Sequence, residues 1–90
     1  MAGYRLLIKP SAGKEIEALG QKKDRQRIVE RIAALASEPR PIGCEKLGGT
    51  EGRYRIRQGQ FRIVYSVDDA ARTVEVFKVG HRREVYRRSN

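Results

Sequence analysis

An α+β fold with the element order β-α-α-β-β-β follows from three features of the sequence. Apolar residues recur at helical spacing between residues 12 and 36. The period changes from 3.6 to 2 after residue 52. Two short turn segments then divide the second region into three strands. Consecutive strands joined by tight turns form an antiparallel meander. The two preceding segments form a helical hairpin on one face of that sheet, leaving the other face open.

Each element has a local cause. Residues 4–8 read as a short strand, closed by Pro10. Ser11 is placed to cap a first helix, in which Ala12, Ile16 and Leu19 share a face, and Gly20 is a natural stop. Asp24 is placed to cap a second helix with Ile28, Ile32, Leu35 and Ala36 in one stripe. Glu38-Pro39-Arg40-Pro41 ends it, and residues 42–52 form a loop holding Gly43, Gly48, Gly49 and Gly52. Residues 53–57 alternate strictly, residues 58–60 turn, and residues 61–67 make the next strand. Residues 68–72 turn again, residues 73–79 make the last strand, and Gly80 is expected to break it. A short basic tail follows.

Ninety residues make one domain, spanning residues 1–90, and a chain of this length buries about two-thirds of its unfolded surface. Twenty Lys and Arg against eleven Asp and Glu leave a formal charge of +9. That charge points to nucleic acid, an anionic membrane or an acidic protein as partner. An apolar fraction of 39% with clear periodicity excludes a disordered basic tail. A single cysteine, Cys44, excludes an internal disulfide framework and any zinc site built on several cysteines. With a single histidine as well, no metal is expected. No apolar run is long enough to span a bilayer, and the first ten residues lack the apolar stretch of a signal peptide. A cytoplasmic protein is the expectation.

Strand alternation locates the charge. Tyr54 and Ile56 share one face, and Arg53, Arg55 and Arg57 share the other. Phe61, Ile63, Tyr65 and Val67 share a face, with Arg62, Val64 and Ser66 opposite. The helical hairpin covers the apolar faces, so Arg55, Arg57 and Arg62 fall on the open one. Tyr54 and Tyr65 belong to the core, Tyr4 and Phe77 read as structural, and Cys44 reads as incidental. Like charges on neighbouring strands repel. A solvated polar face explains three such arginines about as well as a binding face does. The tail adds His81, Arg82, Arg83, Tyr86, Arg87 and Arg88. Arginine suits phosphate, and rings among arginines suit single-stranded nucleic acid.

Residues 54–65, Tyr-Arg-Ile-Arg-Gln-Gly-Gln-Phe-Arg-Ile-Val-Tyr, resemble the central hallmark of the RelE branch of the RelE/ParE toxin superfamily. Residues 79–86, Val-Gly-His-Arg-Arg-Glu-Val-Tyr, are similar to that branch's C-terminal signature, and Lys46-Leu47-Gly48-Gly49 resembles the loop before the hallmark. The resemblance implies a RelE-like microbial ribonuclease fold and the toxin of a type II toxin–antitoxin pair. It implies entry into the ribosomal A site and cleavage of mRNA, without a cofactor, by attack of a 2′-hydroxyl on the adjacent phosphodiester. The products are a 2′,3′-cyclic phosphate and a 5′-hydroxyl. The implied partners are the 70S ribosome with its mRNA and a cognate antitoxin, with no membrane. The antitoxin complex is a hetero-oligomer that binds DNA through the antitoxin. Charge supports an acidic, partly disordered antitoxin that folds on the toxin.

Such chemistry needs a base, positive charge at the phosphorane and an acid. By resemblance, Arg62 and Arg82 supply the charge. Arg55 and Arg57 stand where relatives often carry lysine. A guanidinium holds phosphate but does not accept a proton, so neither replaces a lysine base. Arg53 and Arg83 extend the RNA-binding set. His81 and Tyr86 remain for proton transfer, against the plainer readings of a surface histidine and a ring that anchors the tail. Neighbouring arginines favour the Tyr86 phenolate. Three other functions fit parts of the pattern: a ParE-like poison of DNA gyrase, a non-catalytic nucleic-acid-binding module, and a decayed toxin that still binds its antitoxin.

Overall fold

The computed structural model describes residues 3–49 and 52–81. Arg82, Arg83 and Tyr86, assigned above to the site, lie outside the described residues. In chain order the elements are β1 (Arg5–Ile8), α1 (Pro10–Glu17), α2 (Lys22–Ala34), β2 (Glu45–Lys46), β3 (Arg53–Gln58), β4 (Phe61–Asp68) and β5 (Thr73–His81). Among the described residues they form one sheet in the order β1-β5-β4-β3-β2. The meander β3-β4-β5 is antiparallel, as alternation and turns predict. β1 is the exception, because it joins the edge of β5 in parallel. The sheet is therefore mixed.

Local sequence sets most boundaries. Pro10 opens α1 as its first helical residue, with Lys9 at the cap, so Ser11 lies inside the helix. The fixed φ of proline is pre-organised for that position, and its missing N–H would have had no helical partner there. Gln21 caps α2, and Asp24 sits in its first turn, where a carboxylate favours the helix dipole. Gly59, at φ 62°, occupies the first position of the two-residue β3–β4 turn that glycine suits. Gly52, at φ 78°, accepts through its carbonyl from Val67 N–H at 2.8 Å. A Cβ there would stand 3.1 Å from the Val67 carbonyl. The loop before β3 also holds a short strand that alternation does not reveal, β2, paired antiparallel to β3.

The core lies between the sheet and the two helices. Ala12 and Ile16 of α1 and Ile28 and Ile32 of α2, followed by Leu35, meet Ile56, Ile63, Tyr65, Val67, Val74, Val76 and Val79. Tyr65 is fully buried, and its hydroxyl donates to the Pro39 carbonyl at 2.7 Å. Its ring stacks on Tyr54 with centroids 5.8 Å apart. Burial raises the Tyr65 hydroxyl above its usual range, with Cys44 adding to the effect. Cys44 is thus not incidental: it packs against the core beside Tyr65. Arg40 stacks over Tyr54 and pairs with Asp69 at 2.7 Å, while Tyr4 donates to the same carboxylate at 2.7 Å. This latch ties the segment after α2 to the β4–β5 turn and to the residue before β1. The hydrogen bonds from Arg40 and then Tyr4 hold the Asp69 carboxyl below the usual carboxylate range.

Gly80 does not end the last strand. β5 runs through it to His81, and Gly80 pairs with Arg62. Where β5 passes the end of β1, Glu15 of α1 accepts from Val79 N–H at 2.8 Å and from Lys78 Nζ at 2.7 Å. A helix side chain thereby satisfies a strand edge that would otherwise lack a donor's partner.

Two outcomes follow for stability. Tyr65→Phe keeps the packing but leaves the Pro39 carbonyl without its donor, so it destabilises by about 1 kcal/mol. Urea unfolding with an unchanged m-value reads this, and an unchanged midpoint would refute it. Asp69 titrates lower in the folded chain, so its contribution is present above the ordinary carboxylate range and fades as pH falls through it. The difference in unfolding midpoint between wild type and Asp69→Asn therefore shrinks on acidification; a difference constant with pH would count against the latch.

Candidate nucleic-acid interface

The uncovered face of the sheet carries the charge that alternation assigns to it. Arg53, Arg55 and Arg57 project from β3 opposite to Ile56, which is in the core. Arg57 pairs across the ladder with Arg62 of β4, and Arg62 pairs in turn with Gly80 of β5. Glycine beside Arg62 leaves the guanidinium stem without a flanking side chain on that strand. Arg62 is nonetheless only 8% exposed, so it is a buried cation in the middle of the sheet rather than one spread on its surface. A charge this desolvated acts more strongly on a nearby anion than a solvated one.

Like charges sit together here because other groups occupy them. Arg55 donates through Nε at 3.1 Å and Nη2 at 2.7 Å to one carboxylate oxygen of Glu45 on β2. Those two N–H groups are an edge that a phosphate also engages. The hydrogen bonds from Arg55, then its charge, and to a lesser extent the charge of Arg62, hold the Glu45 carboxyl below the usual carboxylate range. Arg57 is exposed and turns its Nε toward the Gly59 carbonyl at 3.4 Å, a weak contact. Arg53 lies over the Phe77 ring, 4.0 Å from the centroid, and Lys9 lies 5.0 Å from the same centroid.

His81 is elsewhere. It pairs with Phe61, whose side chain packs against the core, and it meets that ring edge-on at 5.8 Å. Its Nε2 lies 3.1 Å from Gln60 Oε1, which accepts in the tautomer that protonates Nε2. By alternation His81 shares a face with Val79, opposite to Gly80 and Arg62. The structure thus gathers Arg53, Arg55, Arg57 and Arg62 on one face and sets His81 across the sheet from them. Among the described residues no three His, Cys, Asp or Glu side chains gather to hold a metal ion, and no helix is long and apolar enough to cross a membrane.

Three members of this face escape the sequence reading. Glu45 lies in a segment with no periodic signal, and only its pairing with Arg55 brings it in. Lys9, between the first strand and Pro10, carries no periodic signal of its own. Phe77 was read as structural, although Val74 and Val76 in the core already assign it by alternation to the other face.

Chemically, the face can bind an extended polyanion and stabilise negative charge at Arg62. Residues 6–86 match the profile described as ParE toxin of type II toxin–antitoxin system, parDE. The chain is 32% identical over 74 residues to Toxin RelE of Mycobacterium tuberculosis, covering 72% of this chain and 76% of that protein. It is 30% identical over 76 residues to Toxin RelG of the same organism, covering 74% and 87%. The crystal structure of the archaeal RelE–RelB complex from Pyrococcus horikoshii superimposes with a TM-score of 0.78 at 31% identity, covering 88% of this chain and 94% of that one.

If Glu45 occupies Arg55 in competition with phosphate, Glu45→Gln tightens binding to short single-stranded RNA. One more cation then engages the strand, so the slope of log K against log salt steepens by about 0.7. Anisotropy titrations at several salt concentrations measure it, and an unchanged slope would show that the pair does not compete.

Proposed function

The chain belongs to the RelE/ParE superfamily of type II toxin–antitoxin toxins, and from that premise we propose that it is a ribosome-dependent endoribonuclease that cuts mRNA in the A site. The observation that carries this reading is the buried Arg62, paired with Arg57 at the turn end of an arginine-lined open face. A poorly solvated positive charge there supports a strand of RNA lying across β3 and β4. Both curated relatives named above are Rel toxins, which favours this reading over a gyrase poison. The family profile carries the ParE name, so gyrase is the alternative that the same experiment separates.

In the proposed reaction the 2′-hydroxyl attacks the adjacent phosphorus. The P–O5′ bond breaks, leaving a 2′,3′-cyclic phosphate and a 5′-hydroxyl. Charge develops on the non-bridging oxygens, and Arg62, with Arg82, holds it. Arg53, Arg55, Arg57 and Arg83 hold the flanking phosphates. The described part of the face offers no strong base: guanidiniums do not accept protons, and Glu45 is kept acidic by Arg55. Proton transfer in this reading falls to Tyr86, with His81 as the second candidate. A site weak in acid–base chemistry gains most from a substrate held in line by the ribosome. Free RNA is therefore cut poorly.

The partner in this reading is an acidic antitoxin. The Pyrococcus relative is seen in complex with RelB. A net charge of +9 and an exposed arginine face suit a negatively charged chain that folds on the toxin. The assembled hetero-oligomer binds operator DNA through the antitoxin, and the toxin acts as a single domain in the cytoplasm.

Primer extension on a defined message in a reconstituted translation system tests the proposal. Wild type gives ribosome-dependent cuts at A-site codons. Arg62→Ala lowers the cleavage rate by about 10²- to 10³-fold. His81→Ala loses less, because its ring lies across the sheet from Arg62. Intact message with inhibited gyrase would transfer the chain to the ParE reading.

A further inference from the structure

Phe77 is an aromatic side chain on the face of the sheet opposite to α1 and α2. Two features place it there. Alternation from the buried Val76 puts Phe77 on the open face, and the pairs Val64 with Lys78 and Tyr65 with Val76 leave it as the bulged residue of β5, without a ladder partner on β4. Its ring is then flanked by two cations from different strands, Arg53 of β3 at 4.0 Å and Lys9 after β1 at 5.0 Å from the centroid. The ring is half-buried. A half-buried ring with a guanidinium resting on it presents a flat platform, and both aromatic rings and guanidinium planes stack nucleobases. The cations beside it suit the phosphates on either side of a stacked base. Phe77 lies three residues along β5 from Gly80, the partner of Arg62, which is about 10 Å at the usual strand rise. A base held there belongs to a nucleotide flanking the one at Arg62.

We propose that Phe77, with Arg53 and Lys9, forms a stacking subsite for one unpaired base of single-stranded RNA, next to the phosphate site at Arg62. This rests on reading the open face as an RNA surface. The subsite has no preference among hydrogen-bonding edges, because every base has a π-face. It fixes register along the strand rather than sequence.

The test is an abasic scan. Short single-stranded RNAs with 2′-O-methyl sugars, which block cleavage, carry one abasic nucleotide moved position by position. Wild type is expected to lose roughly 5- to 150-fold in affinity at one position and little elsewhere. Phe77→Leu keeps an apolar side chain for folding, checked by its thermal melt, but removes the ring. It is expected to bind intact RNA weaker by a similar factor and to be indifferent to the abasic position, so the two losses do not add. Phe77→Tyr retains the wild-type pattern. Equal affinity of wild type and Phe77→Leu for intact RNA would overturn the subsite, as would abasic losses identical in both proteins or no measurable RNA binding by wild type. Ribosome-dependent cleavage is measured in parallel. Cleavage by wild type without the coupling removes the subsite and leaves the ribonuclease reading standing; coupling without cleavage does the reverse.

Discussion

Between Val64 and Tyr65 the β4–β5 register slips, and Phe77 of β5 is left without a ladder partner on β4. The faces of the sheet depend on that slip. Val74 and Val76 point to the helices before it, and Val79 points to them after it. Strict alternation from Val76 would have turned Val79 to the open face and Gly80 into the core. With the extra residue, Val79 joins the core, and Gly80 lies beside Arg62 on the open face. One added residue therefore completes the core and shapes the basic face together.

The open face then resolves a conflict that its composition creates. Four arginines on two neighbouring strands repel one another. The fold answers with local partners: a carboxylate for Arg55, an aromatic ring for Arg53 and a turn carbonyl near Arg57. Each is weak or exposed enough to give way to a stronger anion. A surface ion pair of this kind contributes little to stability and is screened by salt. Its effect is to keep guanidiniums in place on the face, while Arg62 is the most buried of the four.

Stability comes from the other side. The Tyr65 hydroxyl, the Arg40–Asp69–Tyr4 latch and Glu15 on the edge of β5 all join segments distant in sequence. Glu15 also pairs with Lys78, which by register shares the open face with Val64 and Arg62.

The helices, the meander and the arginine row were legible because each depends on periodicity within a few residues. Ile28, Ile32 and Leu35 mark a helix face by spacing alone, and Tyr54 and Ile56 against Arg53, Arg55 and Arg57 mark a strand with two characters. The resemblance of residues 54–65 to the toxin hallmark was legible as well, because those residues are contiguous in one hairpin. What needed the tertiary structure was pairing between distant segments. The parallel docking of β1 on β5, the short β2 that brings Glu45 to Arg55, the burial of Arg62 and the placing of His81 on the opposite face each depend on register. Register is a property of two strands at once. A sequence states the period of each strand, while the core that both must fill chooses how they align.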